Sequence, residues 1–458
     1  MRPCGTRSRS IAGRKPTTEP VLAIRPELLL EEGSFRLGRA VVIDGDRIVA
    51  VTDADDVPEG AAVEDWDRLA IVPGTVNAHG HAFQSLFKGF ADDRTFEDWR
   101  DAVLYPFSER LTTADIYTGA LFAFTEALLA GVTTTVDFFY LHDGGNDNAR
   151  AVIRAAQDVG IRLVLARAFY DLDAPTTAPA RYRETARDSV ARTRELAADH
   201  ASDALVSVQP APHSLHAASP ETVRAALEVA SELDVPCHLH LAEARYERDL
   251  VAARFGLTPV RLLAKEGLLD ARLVAIHAVW LDDHEVDLVA SAGVGVVHCP
   301  GANAFLGDGI ARVAEMLDRG VRVALGPDGG CANNRQSVFD EMRMASLLAK
   351  ARLEDGSALD APRAFELGTR AGGDLLGLPV GALEPGRFAD LVGLDLDDLS
   401  LQPPGVLERH LVHSLQPSAI ARVMVGGEVV LRDRIPVRVD LAELRARIAE
   451  VTAGWSRS

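Results

Sequence analysis

The sequence predicts an α/β protein, a (β/α)8 TIM barrel carrying a small β-sandwich domain formed from both chain ends. Three observations predict it. Eight short apolar β-type runs alternate with amphipathic helical stretches through the middle of the chain, the pattern of a closed parallel barrel. Both ends instead read as strands around glycine turns, and neither is long enough to bury a core alone. The length, 458 residues, suits one large barrel plus a satellite domain.

The first twenty residues, MRPCGTRSRSIAGRKPTTEP, are basic and lack an apolar stretch. They read as a disordered leader and not as a secretory signal. Residues 21–68 follow with VLAI and AVVIDGDRIVAVT, whose DGD is a turn signal. The barrel is expected over 69–379. Its strand-type runs are 69–76, 132–138, 162–168, 205–209, 236–242, 272–277, 294–298 and 321–326. Helical stretches such as 113–130, 146–159, 219–233, 283–292 and 309–319 separate them. Ser219-Pro220-Glu221 places a cap residue before a proline in the first turn. Residues 380–440, with VGALEPGRFADLVGLDL and IARVMVGGEVVL, complete the end domain, and 441–458 read as a C-terminal helix.

The formal net charge is −19, which repels nucleic acid and anionic membranes, so neither is an expected partner. No run of about 18 apolar residues offers a transmembrane helix. Cys4, Cys237, Cys299 and Cys331 form no CxxC pair and no disulfide framework, which points to a reducing cytoplasm. A small-molecule substrate is the expected partner and a homodimer the expected assembly.

The chemistry lies in where the histidines and acids fall on the predicted strands. His79 and His81 follow the first strand, and His213 follows the fourth. His240 and Glu243 end the fifth, His277 the sixth and His298 the seventh, and Asp328 follows the eighth. All sit at carboxyl ends, the rim where such barrels build active sites. In extended backbone, residues two apart point the same way, so His79-Gly80-His81 aims two imidazoles at one point. Gly80 lets the backbone pass close by. His240 and Asp328 can complete a three-histidine, one-carboxylate metal set with a position left for water. A metal so held brings the pKa of its water to about 7. An HxH pair alone would not distinguish ligands from buried structural histidines; the joint pattern on one rim does.

These residues lie in stretches that resemble the amidohydrolase superfamily, in the branch of S-adenosylhomocysteine and guanine deaminases, triazine hydrolases and formiminoglutamate deiminase. The resemblance runs from about Val42 to Arg432. It is carried by IVPGTVNAHGHAFQ, EALLAGVTTTVDF, APHS, HLHLAE, AIHAVWL, HCPGAN, GPDGGCANNRQSVFDEMRMASLLAK, GALEPGRFADLVGLD and VMVGGEVV. It implies that His79, His81, His240 and Asp328 hold one divalent metal per subunit, zinc first and ferrous iron as the alternative. It further implies that His277 positions the metal's water, that Asp328 takes its proton, and that Glu243 is the acid that protonates a ring or imine nitrogen. His213 and Asn303 match substrate-side positions. Trp99, within an aromatic first loop, and Arg167, ending the third strand, are further candidate substrate contacts.

Other histidines are read as structural. His238 alternates with His240 and should point out of the barrel, and His142 is expected to be solvent-exposed in a Gly/Asp/Asn loop. Binuclear relatives bridge two metals with a carboxylated lysine. This chain has no lysine between Lys88 and Lys265, so a mononuclear site is expected. Pro327 stands where many relatives carry Thr or Ser, and removes a backbone donor beside Asp328.

The expected activity is hydrolytic deamination of an amino-substituted heterocycle of purine, pterin, pyrimidine or triazine type. The alternatives are a formiminoglutamate-type deiminase, a triazine chlorohydrolase or alkylaminohydrolase, and, most remotely, a non-catalytic barrel used for interaction. A formimino substrate would need a carboxylate anchor, Arg167 or Arg100.

Overall fold

A computed structural model describes residues 21–172 and 177–455. The expected leader, 1–20, and the last three residues of the expected C-terminal helix lie outside the described residues. Near the N-terminus the strands are β1 (Leu22–Glu31), β2 (Ser34–Arg36), β3 (Arg39–Asp44), β4 (Arg47–Asp53) and β5 (Ala62–Pro73). Asp44 pairs with Arg47, so the DGD signal becomes a two-residue hairpin loop with Gly45 at φ 59°, a conformation glycine adopts without strain.

The barrel strands are β6 (Thr75–Asn77), β7 (Val132–Phe139), β8 (Arg162–Phe169), β9 (Val206–Pro212), β10 (Cys237–Leu241), β11 (Leu273–His277), β12 (Gly295–His298) and β13 (Val323–Leu325). They form two parallel four-stranded arcs, β6–β9 and β10–β13. One seam closes through a bridge between Ser214 and His240. The other closes through Ala78 N–H to Leu325 O at 2.9 Å and Asp328 N–H to His79 O at 3.1 Å. VTTTVDFF and RLVLARAF are buried at every position, as strands covered on both faces must be.

The surrounding helices start where their sequences say. Thr112 and Asp115 form a capping box before Thr113–Leu129, and Ser219 caps Pro220–Leu233 with the proline in its first turn. Among the described residues no helix is long and apolar enough to cross a membrane.

The remaining strands, β14 (Leu391–Asp395), β15 (Ile420–Val425), β16 (Glu428–Arg432) and β17 (Ile435–Pro436), join β1–β5 in one nine-stranded sheet. The two chain ends meet where β14 runs antiparallel to β5, with Val392 opposite Val72. Ile24, Val41, Ile43, Trp66, Ile71, Leu391 and Met424 form this sheet's own core.

One strand departs from the expectation. The run 69–76 is divided at Gly74: residues 69–73 complete β5 of the end sheet, and only Thr75–Asn77 enter the barrel. A Cβ at Gly74 would stand 2.1 Å from Thr133 Oγ1, so the crossing between the two sheets needs glycine. The sheets are tied at the same place by a buried ion pair. Arg162, opening β8, sets Nη2 3.0 Å and Nε 3.1 Å from the two oxygens of Asp390, and its guanidinium lies 3.6 Å from the Phe388 ring centroid.

Candidate active site

Of the strand-end residues singled out on the rim, all but His298 converge on one place, and the backbone is bent to bring them there. His277 and Asp328 adopt φ of 72° and 68°, and Ala242, just before Glu243, 52°. Left-handed backbone is costly for residues with a Cβ and persists where surrounding structure enforces it, commonly at functional sites. Gly326 lies against His79: a Cβ there would meet the His79 backbone N at 2.7 Å.

His79, His81, His240, His277, Asp328 and Glu243 fall into three overlapping groups whose ligand atoms lie within 4.8 Å of one another. His79 Nε2 is 3.3 Å and His81 Nε2 3.5 Å from Asp328 Oδ1. Two ligands about 2.1 Å from one tetrahedral metal stand about 3.4 Å apart, so these spacings fit a shared ion. His79 is fully buried with neither ring nitrogen hydrogen-bonded, an arrangement that costs free energy unless something else binds it. His81 Nδ1 meets the Phe138 carbonyl at 2.6 Å and His240 Nδ1 meets the His213 carbonyl at 2.8 Å. A ring nitrogen facing a carbonyl must donate, which leaves each Nε2 lone pair turned to the cluster. Burial holds the pKa of His79, His81 and His240 below the usual histidine range, so their neutral, ligating forms are available at neutral pH. Asp328 is fixed by the Gly329 N–H, 2.6 Å from Oδ1. These residues therefore fit a divalent metal.

Glu243 faces this cluster, its Oε1 3.4 Å from His277 Nε2. Burial first, then the charges of Asp308, Asp328 and Glu247, raises its carboxyl well above the usual range, which favours the protonated form. Glu247, itself pushed up to about 8 by burial, accepts the Glu243 N–H at 2.9 Å and steadies the turn. Above the cluster opens a pocket of about 590 Å³ lined by His81, Gln84, Phe96, Trp99, Arg100, Leu104, Tyr105, Tyr140, Tyr170, Tyr182, His213, His216, His240, Glu243, His277 and Asp328.

The pattern of amidohydrolases, described as the amidohydrolase family, matches residues 70–430. A 5'-deoxyadenosine deaminase of Methanothermobacter thermautotrophicus is 34% identical over 415 residues, covering 91% of this chain and 94% of its own length. A 5-methylthioadenosine/S-adenosylhomocysteine deaminase of Haloarcula marismortui is 34% identical over 430 residues, covering 94% and 96%. The chain belongs to the amidohydrolase family. A solved structure of an adenosine deaminase from Xanthomonas campestris with bound zinc superimposes with a TM-score of 0.87 at 28% identity, over 94% of this chain and 98% of that one.

Within this amidohydrolase, His213 and Trp99 line the pocket as expected, the Trp99 indole N–H held by the Cys331 carbonyl at 3.0 Å. Asn303 does not line it. Its amide stands 3.1 Å from His277 Nδ1, behind the ring. Arg167 is also away from the pocket: it is buried against Glu184 at 2.9 Å, a carboxylate from the loop that follows. The arginine that lines the pocket is Arg100. His142, expected in solvent, is buried with Nε2 3.0 Å from the Ala168 carbonyl, because its loop folds over the end of β8. His238 bonds Gln209 at 2.7 Å, whose amide reaches Leu376 in the helix layer, in keeping with an outward direction. His298 is buried and lines neither cluster nor pocket. Of the aromatic first loop, Phe96, Trp99 and Tyr105 reach the pocket, while Phe87 and Phe90 pack with Phe107 on Trp455. Gln84, Tyr140, Tyr170, Tyr182 and His216 are lining residues that the sequence did not mark out. They come from four different loops, and no spacing rule connects them.

Proposed function

We propose that this hydrolytic deaminase acts on the adenine ring of 5'-substituted adenosines, with one zinc ion held by His79, His81, His240 and Asp328. The observation that carries the chemistry is Glu243, held toward its protonated form beside His277 and Asp328 on the floor of an aromatic-walled pocket. The choice of nucleoside is supported by the two relatives, named as deaminases of such compounds and alike along nearly the whole chain.

When bound, the metal supplies Lewis acidity that lets a water ionise near neutral pH. Asp328 and His277 flank the attacking water, and Asp328 accepts its proton. The tyrosines and Trp99 hold the flat ring and exclude bulk water. As water oxygen adds to C6, Glu243 gives its proton to the adjacent ring nitrogen N1. The proton taken by Asp328 passes to the exocyclic amino group, which leaves as ammonia; the remaining proton of the C6 hydroxyl returns to Glu243 as the carbonyl forms, so N1 keeps the proton of the hypoxanthine ring and Glu243 is restored. Asn303 and Glu247 act through His277 and Glu243, holding ring and turn in place.

Ammonia release is the test, with 5'-deoxyadenosine, 5'-methylthioadenosine, S-adenosylhomocysteine, guanine, pterin, an amino-triazine and formiminoglutamate as substrates. The nucleosides should be turned over with the highest kcat/KM. Activity confined to formiminoglutamate or to the triazine would overturn the proposal.

A further inference from the structure

Arg100 is a charged side chain placed in the pocket with a donor left over. It is 7% exposed and lines the cavity. Asp101 takes Nε at 2.8 Å and Nη2 at 2.9 Å, and Thr177 Oγ1 in turn holds Asp101 at 3.1 Å. This fixes the plane of the guanidinium. Nη1 is buried and has no hydrogen-bond partner. The Tyr246 ring lies under the group, its centroid 4.8 Å from the guanidinium carbon. The Tyr246 hydroxyl is also buried and lies beside the guanidinium, which acts on it as a hydrogen-bonding neighbour.

The backbone is shaped to make this presentation. Arg100–Leu104 form a single π-helical turn, closed by the Tyr105 N–H on the Arg100 carbonyl. The wider turn brings Arg100, Leu104 and Tyr105 to one face, and all three line the pocket. Such insertions occur frequently at functional sites.

We propose that Arg100 is a specificity-determining residue that receives a carboxylate carried by the substrate, at the part of the pocket away from the deaminated ring. A guanidinium has no acceptor. Arg100 Nη1, a buried donor on the pocket side, therefore calls for an acceptor, and a carboxylate oxygen supplies one with charge assistance. Asp101 does not fill this role: its side chain is 38% exposed and occupies the other edge of the fork. This inference rests on the deaminase reading, and on the nucleoside reading only for its first test pair. The carboxylate then belongs to an amino-acid tail on the 5' position.

The experiment compares kcat/KM for S-adenosylhomocysteine with that for 5'-methylthioadenosine, which lacks the carboxylate, in the metal-loaded wild type, Arg100→Met and Arg100→Lys. The wild type should favour the carboxylate-bearing substrate by about 10–100-fold, the range of a charged hydrogen bond. In Arg100→Met this ratio should fall toward unity whatever the absolute rates, and Arg100→Lys should restore part of it. A wild-type ratio of one or less, or a ratio unchanged in Arg100→Met, would overturn the inference. If neither nucleoside releases ammonia, the adenosine reading fails and Arg100 is judged separately. Pterin-6-carboxylate and pterin then form the pair, read by the melting-temperature shift each produces in the three proteins. The shift should be larger for the carboxylate and should depend on Arg100; equal shifts, or none, would overturn the inference on that pair.

Discussion

Glu243→Gln should retain its metal and lose about 10²–10⁴-fold in kcat, the usual contribution of a general acid–base group. The substitution keeps the shape of a side chain whose Oε1 stands 3.4 Å from His277 Nε2, and leaves the histidines and Asp328 untouched. An amide can donate a hydrogen bond to a ring nitrogen but cannot deliver a proton and take it back. The direction of the Glu243 shift sets the pH behaviour. Its carboxyl is raised by burial and by the neighbouring acids, so the competent, protonated form persists at neutral pH and is lost as pH rises through that raised value. The wild type should therefore show a fall in kcat on its alkaline side that Glu243→Gln lacks. Steady-state ammonia release across pH, with metal content measured on the same samples, checks both parts. A variant within tenfold of the wild type would remove Glu243 from the proton path.

The second large effect concerns the joint between the two sheets. Asp390→Ala should destabilise the fold by about 3–5 kcal/mol, the cost of leaving a buried charge without its partner. Arg162 and Asp390 have side chains only 2% and 0% exposed. Asp390 Oδ1 also accepts the Gly426 N–H at 2.7 Å, so the substitution strands a guanidinium and a backbone donor together. Arg162→Met with Asp390→Ala should recover much of the loss, because the stranded charge is gone. Chemical denaturation of the two single variants and the double variant measures this. A loss below about 1 kcal/mol in Asp390→Ala would place the pair among exposed ion pairs in strength, and the joint would have to be held by apolar packing alone.

The sequence made the barrel legible because short apolar strand runs alternate with helices, some of them capped as at Thr112 and Ser219, and it made the metal cluster legible because His79-Gly80-His81 and HLHLAE place their side chains by the two-residue period of a strand. The first barrel strand was less readable. LAIVPGTV is one continuous run, and the chain changes sheets at Gly74, where a Cβ would stand only 2.1 Å from Thr133 Oγ1. The wall of the pocket could not be read. Tyr140 follows β7, while Tyr170 and Tyr182 stand twelve residues apart in the loop after β8, and their rings meet only in three dimensions, at centroid separations of 4.8 Å for Tyr140–Tyr182 and 6.0 Å for Tyr170–Tyr182. Arg167 and Arg100 had equal standing as anchors in the sequence. What separates them is Glu184, 17 residues beyond Arg167, which turns that guanidinium into a buried structural pair. His142 is buried against Ala168 for a related reason: a polar loop composition says nothing about whether the loop folds back over a strand end.

In the proposed function, one metal held by His79, His81, His240 and Asp328 enables the chain to release ammonia from a 5'-substituted adenosine. The most direct measurement is ammonia release from 5'-deoxyadenosine by chelator-stripped protein titrated with zinc. The rate should be absent in the stripped protein and rise linearly to a plateau at about one equivalent per chain, the stoichiometry of a mononuclear catalytic site. A rate that continues to rise to about two equivalents, or stripped protein that retains its activity, would contradict the account.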